Sequence, residues 1–188
     1  MVSLLKKWFS SSTPEGVDET YIALVQQARN PFFYTDLAVP DTLDGRFEMV
    51  VLHLFLVQHR LLGARDAHAD DREAIEAFAR SLSECFFNDM DRTVREMGVA
   101  DTGVGKRIKR MGKAYHGRLQ AYEAGLSDKE ALHAALSRNL YGTVPEGEVS
   151  VLYGMSAYMR RQVEALAATP VATIMRGAYG WGIPAAGL

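Results

Sequence analysis

A glycine-rich stretch followed by a cluster of cations is the segment whose residue types and spacing first suggest chemistry. Residues 97–118 read MGVADTGVGKRIKRMGKAYHGR, and glycines ahead of a lysine are typical of loops that bind nucleotide phosphates. A Walker A loop would need glycine at position 100 and serine or threonine at position 107, where this chain has Ala100 and Arg107. The G-x-G-x-x-G fingerprint fails as well, because Ile108 stands at its third glycine. The segment is therefore not predicted to bind a nucleotide.

The same segment is better explained as the start of an amphipathic helix. Apolar residues recur at helical spacing from Val104 to Tyr122, and cations fall on the opposite face at about 100° per residue. No aspartate or glutamate occurs in residues 102–122, so the cations have no acidic partner on their own helix. We call this cationic face, with its flank, the basic stripe; it consists of Lys106, Arg107, Lys109, Arg110 and Lys113.

An anionic partner would relieve the repulsion among the cations of the basic stripe. Lipid headgroups, RNA phosphates and an acidic protein surface all fit this requirement. A face that is simply solvated is the alternative, since runs of charge are common on exposed helices. The sequence alone leaves these partners open.

The remaining reactive side chains show no catalytic or metal-binding pattern. The five histidines lack metal-ligand spacing, and the single cysteine, Cys85, has no partner for a disulfide or a zinc site. His53 lies in an apolar run and is expected to be a hydrogen-bonded core residue. The acidic segments DTLD, HADD and NDMD lack the spacing of the magnesium sites in all-α prenyl-transferring enzymes. We therefore predict no catalytic residue, no metal, no cofactor and no enzymatic activity.

Composition and charge narrow the class of protein. The chain has 188 residues, of which 48% are hydrophobic and 23% are charged, as expected for one globular domain. A net charge of -2 argues against a protein that coats nucleic acid, and we predict no DNA partner. The most apolar interior run is shorter than the roughly 20 residues that span a bilayer, so we expect a soluble protein.

Almost no stretch alternates with a period of two residues, which predicts an all-α fold: a single compact bundle of about six to eight helices. Residues 47–62 are apolar nearly all round and should form a central, buried helix, with Asp41 as a candidate cap. Ser127 and Glu130 have the spacing of a capping box. We expect a flexible tail at residues 1–16, a helical domain at 17–176 and an irregular tail at 177–188.

Three strings in the sequence resemble a known family. They are VPDTLDGRF at residues 39–47, DMDRTVREMGV at residues 89–99 and LSRNLYG at residues 136–142. They are similar to the ubiquinol–cytochrome c chaperones, with a resemblance over roughly residues 21–142. Members of that family are assembly factors of respiratory complex III. The resemblance thus implies a non-catalytic chaperone that binds cytochrome b and promotes assembly of the complex.

The family also bears on partners and location. Its mitochondrial members act near the ribosomal exit site with a small partner protein. This sequence shows no Arg- and Ser-rich presequence, so we expect a bacterial member, in the cytoplasm and peripheral to the inner face of the cytoplasmic membrane. The ribosome and the small partner are therefore left open here. The alternative function is an adaptor that binds the ribosome, RNA or anionic lipid through the basic stripe.

The resemblance finally nominates residues that serve as scaffold or as client contacts. These residues are Phe33, Tyr34, Asp41, Asp44, Arg46, Phe47, Asp89, Asp91, Arg95 and Glu96. Spacing also allows a purely structural role for some of them. Asp91 with Arg95, and Arg92 with Glu96, have the i,i+4 spacing of ion pairs that neutralise an outer helix face.

Overall fold

The structure is a computed structural model that describes residues 13–67, 69–96, 101–142 and 149–182. Within these ranges the side chains of residues 101–104, 106–108 and 149 are outside the description. Residues 1–12 and 183–188, which belong to the tails expected from the sequence, lie outside the described residues.

Helices make up most of the described chain, and no strand occurs in it. The helices are α1 (Val17–Ala28), α2 (Phe32–Thr35), α3 (Leu43–Ala64), α4 (Arg72–Glu96), α5 (Asp101–Ser127), α6 (Lys129–Asn139), α7 (Val149–Ala167) and α8 (Val171–Ile174), with a 3-10 turn at Ala69–Asp71. In the described ranges, six helices have eleven or more residues, whereas α2 and α8 are single turns. The prediction of a compact all-α fold is confirmed.

Helix α3 lies at the centre of the bundle, as the apolar run predicted. It packs against α1, α4, α5, α7 and α8, and every residue from Phe47 to Gln58 is buried. In the described part of the chain it is the one helix long and apolar enough to cross a membrane, but 78% of its apolar window is buried inside the bundle. Its hydrophobicity is therefore that of a core helix.

The buried part of α3 contains a histidine that is hydrogen bonded through both ring nitrogens. His53 Nδ1 lies 2.8 Å from the carbonyl oxygen of Met49, and Nε2 lies 2.7 Å from the hydroxyl of Tyr158 on α7. Because the carbonyl only accepts, Nδ1 carries the proton and the hydroxyl donates to Nε2. Gln27 on α1 donates to the same hydroxyl at 3.1 Å. The expected core histidine thus links three helices, and burial lowers its pKa to about 4.

The described chain beyond α8, which ends at residue 182, is not helical, yet residues 177–182 pack against the core. Gly177 has a φ of +67°, and an added Cβ would lie 2.6 Å from the side chain of Glu19 on α1. Tyr179 is buried, and Trp181 meets the His53 ring edge-on with centroids 4.9 Å apart. This segment therefore covers the histidine network.

Two helix caps lie one residue beyond their predicted positions. Thr42, rather than Asp41, caps α3 by accepting the backbone N–H of Gly45 at 3.1 Å. Asp128, rather than Ser127, caps α6, where its carboxylate accepts two backbone N–H groups of the first turn. Ser127 is instead the last residue of α5. In both cases the neighbouring residue also has a side-chain oxygen suited to a cap.

The start of α3 provides a test of close packing at Gly45. A Cβ on this residue would lie 2.0 Å from the carbonyl oxygen of Pro40, so Gly45→Ala must displace the backbone there. We expect the free energy of unfolding to fall by about 1–3 kcal/mol in urea titrations. Gly63→Ala, on the same helix with nothing within 4 Å of its added Cβ, should stabilise by roughly 0.5–1 kcal/mol. Equal midpoints for the two variants would contradict the close approach.

The buried histidine predicts a pH dependence of stability. Since burial lowers the pKa of His53 from 6.5 to about 4, the unfolded chain takes up this proton first as the pH falls. The free energy of unfolding should thus decrease between pH 6.5 and 4, by up to about 1.4 kcal/mol per pH unit from this group. His53→Gln should flatten the profile in urea titrations from pH 7 to 5. His133, whose pKa is also lowered by burial, is present in both proteins and cancels. Identical slopes would refute this assignment.

Candidate functional site

An open groove with a cavity volume of about 650 Å³ lies at the start of α3, between α4, α5 and the end of α6. The first string contributes Asp44, Arg46 and Phe47 to its lining, and the second contributes Asp89. Arg110 of the basic stripe also lines it. We call it the motif groove because residues from these separate parts of the sequence meet there.

The floor of the motif groove is apolar and includes adaptable side chains. Phe47 is 9% exposed and packs against Phe86 on α4, with ring centroids 5.6 Å apart. Met90 from α4 and Met111 from α5 also line the floor, and their unbranched side chains adjust to different neighbours. Leu43 lies in the lining as well and is 37% exposed. The floor thus offers apolar contact area to a partner.

A buried ion pair between α3 and α5 forms one wall of the groove. Two nitrogens of Arg118, Nε and Nη2, each lie 2.5 Å from an oxygen of Glu48. The side chains are only 20% and 6% exposed, respectively, and the Arg118 guanidinium lies 6.0 Å from the ring centre of Phe47. Burial raises the pKa of Glu48, and the arginine opposes that rise. The pair is therefore part of the scaffold, since each charge depends on the other.

Asp89 is also held by neighbouring side chains. Tyr21 on α1 donates its hydroxyl to this carboxylate at 3.1 Å, and Arg92 donates to it at 2.5 Å. Burial raises the pKa of the Tyr21 hydroxyl well above its ordinary value, and the nearby carboxylate of Asp89 adds to the rise. Asp89 thus ties α4 to α1 at the edge of the groove.

The charge of Arg46 is neutralised by an aspartate of the same string. Its Nε donates to Asp41 at 2.6 Å, and both side chains are more than half exposed. This hydrogen bond lowers the pKa of Asp41. Asp44, by contrast, is exposed in the first turn of α3 and has no ion pair among the described residues. Asp44 also lines the groove, where its negative charge helps to raise the pKa of Arg118.

The other nominated residues lie outside the groove lining. Phe33 is completely buried and meets the rings of His53 and Tyr158 edge-on, at 5.4 and 4.9 Å between centroids. Tyr34 is half-buried and donates its hydroxyl to the Ala28 carbonyl at 2.9 Å. These positions give Phe33 a place in the core and Tyr34 a role in joining α1 to α2.

On α4, three nominated residues form ion pairs along the helix surface. Arg95 lies 2.6 Å from Asp91, and Arg92 lies 3.9 Å from Glu96. All four side chains are between 39% and 71% exposed. The i,i+4 spacing therefore produces the pairs that the sequence allowed, and exposed pairs of this kind contribute little to stability.

The described cations of the basic stripe lie in two different places, inside and outside the motif groove. Lys109, Arg110 and Lys113 are exposed on α5, and in the described part of the chain none of them forms an ion pair. Arg110 lines the motif groove, whereas Lys109 and Lys113 do not. The side chains of Lys106 and Arg107 lie outside the described residues.

Two groove arginines were absent from the sequence predictions. Arg29 follows α1, and Arg138 lies near the end of α6; both are exposed, and within the described ranges neither has an ion pair. Arg138 belongs to the third string, LSRNLYG, so the family resemblance could have indicated it. Arg29 lies outside all three strings, and nothing in its local sequence marks it. We call Arg29, Arg110 and Arg138 the rim arginines.

The groove has the character of a binding surface. Five arginines and three carboxylates line it, although the whole chain has a net charge of -2. Across the described residues, no three His, Cys, Asp or Glu side chains are grouped to hold a metal ion. Elsewhere, burial raises the pKa of the Cys85 thiol to about 12, so this thiol is protonated at neutral pH. What the groove offers is an apolar floor with a cationic rim.

Comparisons with known proteins point to one family. A family model described as ubiquinol–cytochrome C chaperone matches residues 35–181. The crystal structure of the Cbp3 homolog from Brucella abortus is similar, with a TM-score of 0.76, 34% identity and coverage of 89% of each chain. No curated protein matches the chain. The family match continues through α7, further along the chain than the three strings indicated.

The buried ion pair yields a prediction about stability. Arg118→Met leaves the Glu48 carboxylate buried without its counter-charge and should lower the free energy of unfolding by about 3–5 kcal/mol. The double variant Glu48→Gln/Arg118→Met should lose less than this, because no buried charge remains. Arg46→Met removes only an exposed pair and should change stability little. Urea titrations compare the three variants, and an Arg118→Met loss no larger than that of Arg46→Met would disprove the prediction.

Proposed function

Since the chain belongs to the ubiquinol–cytochrome c chaperone family, we propose that it binds the cytochrome b subunit during assembly of ubiquinol–cytochrome c reductase. Family membership supports the coarser statement, that the protein is an assembly chaperone for this respiratory complex. The observation that carries the proposal is the family match over residues 35–181. That range includes every residue that lines the motif groove except Arg29.

The chemistry of the groove supports a membrane-protein client. Cytochrome b crosses the membrane several times, so its chain alternates between apolar spans and short polar connections. An apolar floor next to a cationic rim suits segments that lie where a span meets water. Met90 and Met111 can adapt to more than one such segment.

We further propose that the protein works at the inner face of a bacterial cytoplasmic membrane. Two exposed cations of the basic stripe, Lys109 and Lys113, lie outside the groove and are available for a second contact. Anionic phospholipids attract such residues by about 1 kcal/mol for each Lys or Arg near the surface. A contact of this kind would bring the groove close to a client that is being inserted.

A deletion experiment tests the assembly function. Loss of the gene should deplete assembled ubiquinol–cytochrome c reductase in membranes of the host, because unprotected cytochrome b fails to join its partners. Native gels and ubiquinol-dependent reduction of cytochrome c measure the complex, and another respiratory complex serves as the control. The wild-type gene on a plasmid should restore it. Normal amounts of the complex in the deletion strain would refute the proposed function.

Photocrosslinking in cells tests the contact with cytochrome b. A photoreactive residue at Leu43, on the groove, should capture cytochrome b, as identified by mass spectrometry. The same residue at Arg80, which is exposed on α4 but outside the groove lining, is the matched control and should not. Equal capture at both positions would show that the groove is not the preferred contact.

A further inference from the structure

We propose that the motif groove recognises a peptide segment that combines apolar side chains with carboxylates, and that the rim arginines bind those carboxylates. The inference deepens the proposed function, on which it rests for the identity of the protein that supplies the segment. The chemistry of the segment follows from the groove itself. Three properties of the lining support it: an exposed apolar anchor point, three cations from different parts of the chain, and an exposed carboxylate.

The apolar anchor point is Leu43. Among the described residues only two large hydrophobic side chains are exposed, Leu43 and Tyr153, and Leu43 is the one that lines the groove. It continues the apolar floor formed by Phe47, Met90 and Met111 toward solvent. A cavity of about 650 Å³ has room for several side chains of a bound segment. Such a segment would remove this apolar surface from water.

The cations come from three separate parts of the fold. Arg29 follows α1, Arg110 lies on α5 and Arg138 lies on α6. The other two arginines of the lining are already paired, Arg46 with Asp41 and Arg118 with Glu48. Within the ranges that the structure describes, the rim arginines have no such partner. Carboxylates are suited to fill this role, because guanidinium groups bind them through two parallel hydrogen bonds.

The carboxylates of the lining favour a peptide over a phosphate-bearing partner. Asp44 is exposed and forms no ion pair in the described chain, so it would repel a phosphate. A peptide supplies backbone N–H groups, which such a carboxylate accepts, alongside its own acidic side chains. RNA, moreover, has no aliphatic group to occupy the floor beside Leu43. A peptide with both kinds of side chain matches all parts of the lining.

Fluorescence anisotropy with the full chain tests the proposal. The probe is a fluorescein-labelled synthetic peptide, LDDLLDDLLDDL, and the comparison peptide is LKKLLKKLLKKL. The variant Arg29→Gln/Arg110→Gln/Arg138→Gln should bind the acidic probe more than tenfold more weakly than the wild type. Arg80→Gln/Lys109→Gln/Lys113→Gln removes the same charge at exposed positions outside the groove and should stay within threefold of the wild type. The wild type should bind the basic peptide at least tenfold more weakly than the acidic one.

A second variant makes the test independent of the arginines. Leu43→Asp places a carboxylate on the groove where the apolar anchor should bind, and it should also weaken binding more than tenfold. All substituted side chains are exposed, so melting temperatures should match that of the wild type. Unchanged affinity of the rim variant or of Leu43→Asp would overturn the proposal, as would no measurable binding by the wild type.

Other outcomes would replace the proposal with a different partner. Equal weakening by the two triple variants would mean that only overall charge attracts the probe. Binding to phosphatidylglycerol vesicles that depends on the rim arginines, with no effect of these residues on the peptide, would assign the groove to phosphate. Peptide binding with normal reductase in the deletion strain would refute the proposed function alone. Depleted reductase without peptide binding would refute this inference alone.

Discussion

Every residue of α3 from Phe47 to Gln58 is buried, so this part of the helix must be covered on every side, and this requirement governs the rest of the structure. Five other helices pack against α3, and the segment after α8 covers His53. Polar groups inside such a core must find partners, which the His53 hydrogen bonds and the Glu48–Arg118 pair provide. The first turn of α3 reaches solvent, and there Leu43 and Asp44 enter the groove. The site thus lies at an end of the central helix that its neighbours leave open.

The first string illustrates how a family motif can be mainly structural. Thr42 caps α3, Gly45 leaves room for the Pro40 carbonyl, and Asp41 neutralises Arg46. The backbone N–H of Thr42 also donates to that carbonyl at 2.8 Å. These contacts fix the chain ahead of α3 and thereby set the direction in which the groove-facing side chains point. A motif of this kind therefore shows where a site lies more reliably than it shows which residues bind a partner.

The local sequence pattern was sufficient to predict the helices but not to predict which residues meet in the motif groove. The all-α fold and the buried α3 followed from hydrophobic periodicity, because each helix records in its own sequence which face is covered. The caps of α3 and α6 were misplaced by one residue, since adjacent side chains offer equivalent oxygens. Arg118 lies on the same helix as the basic stripe but is buried against Glu48, which lies 70 residues away in the chain.

The rim arginines show even more clearly that a local sequence pattern does not reveal contacts between distant parts of the chain. Arg29, Arg110 and Arg138 lie in different helical regions, and the packing of α1 and α5 against α3, with α6 against α5, brings them to one groove. Helical spacing grouped Arg110 with Lys109 and Lys113, whereas the tertiary structure separates it from them. A surface made by several helices has no period in the sequence, which explains why the pattern did not reveal it.

The segment that covers His53 also has a consequence for synthesis of the protein. The histidine network draws on Gln27 near the start of the described chain, on Tyr158 late in it and on Trp181 near its end. Thr20 on α1 likewise donates to the carbonyl of Ile174 in α8 at 2.8 Å. A ribosome releases these groups in order, so an incomplete chain lacks the residues that seal its core. Closure of the bundle is thus delayed until Trp181 has left the ribosome.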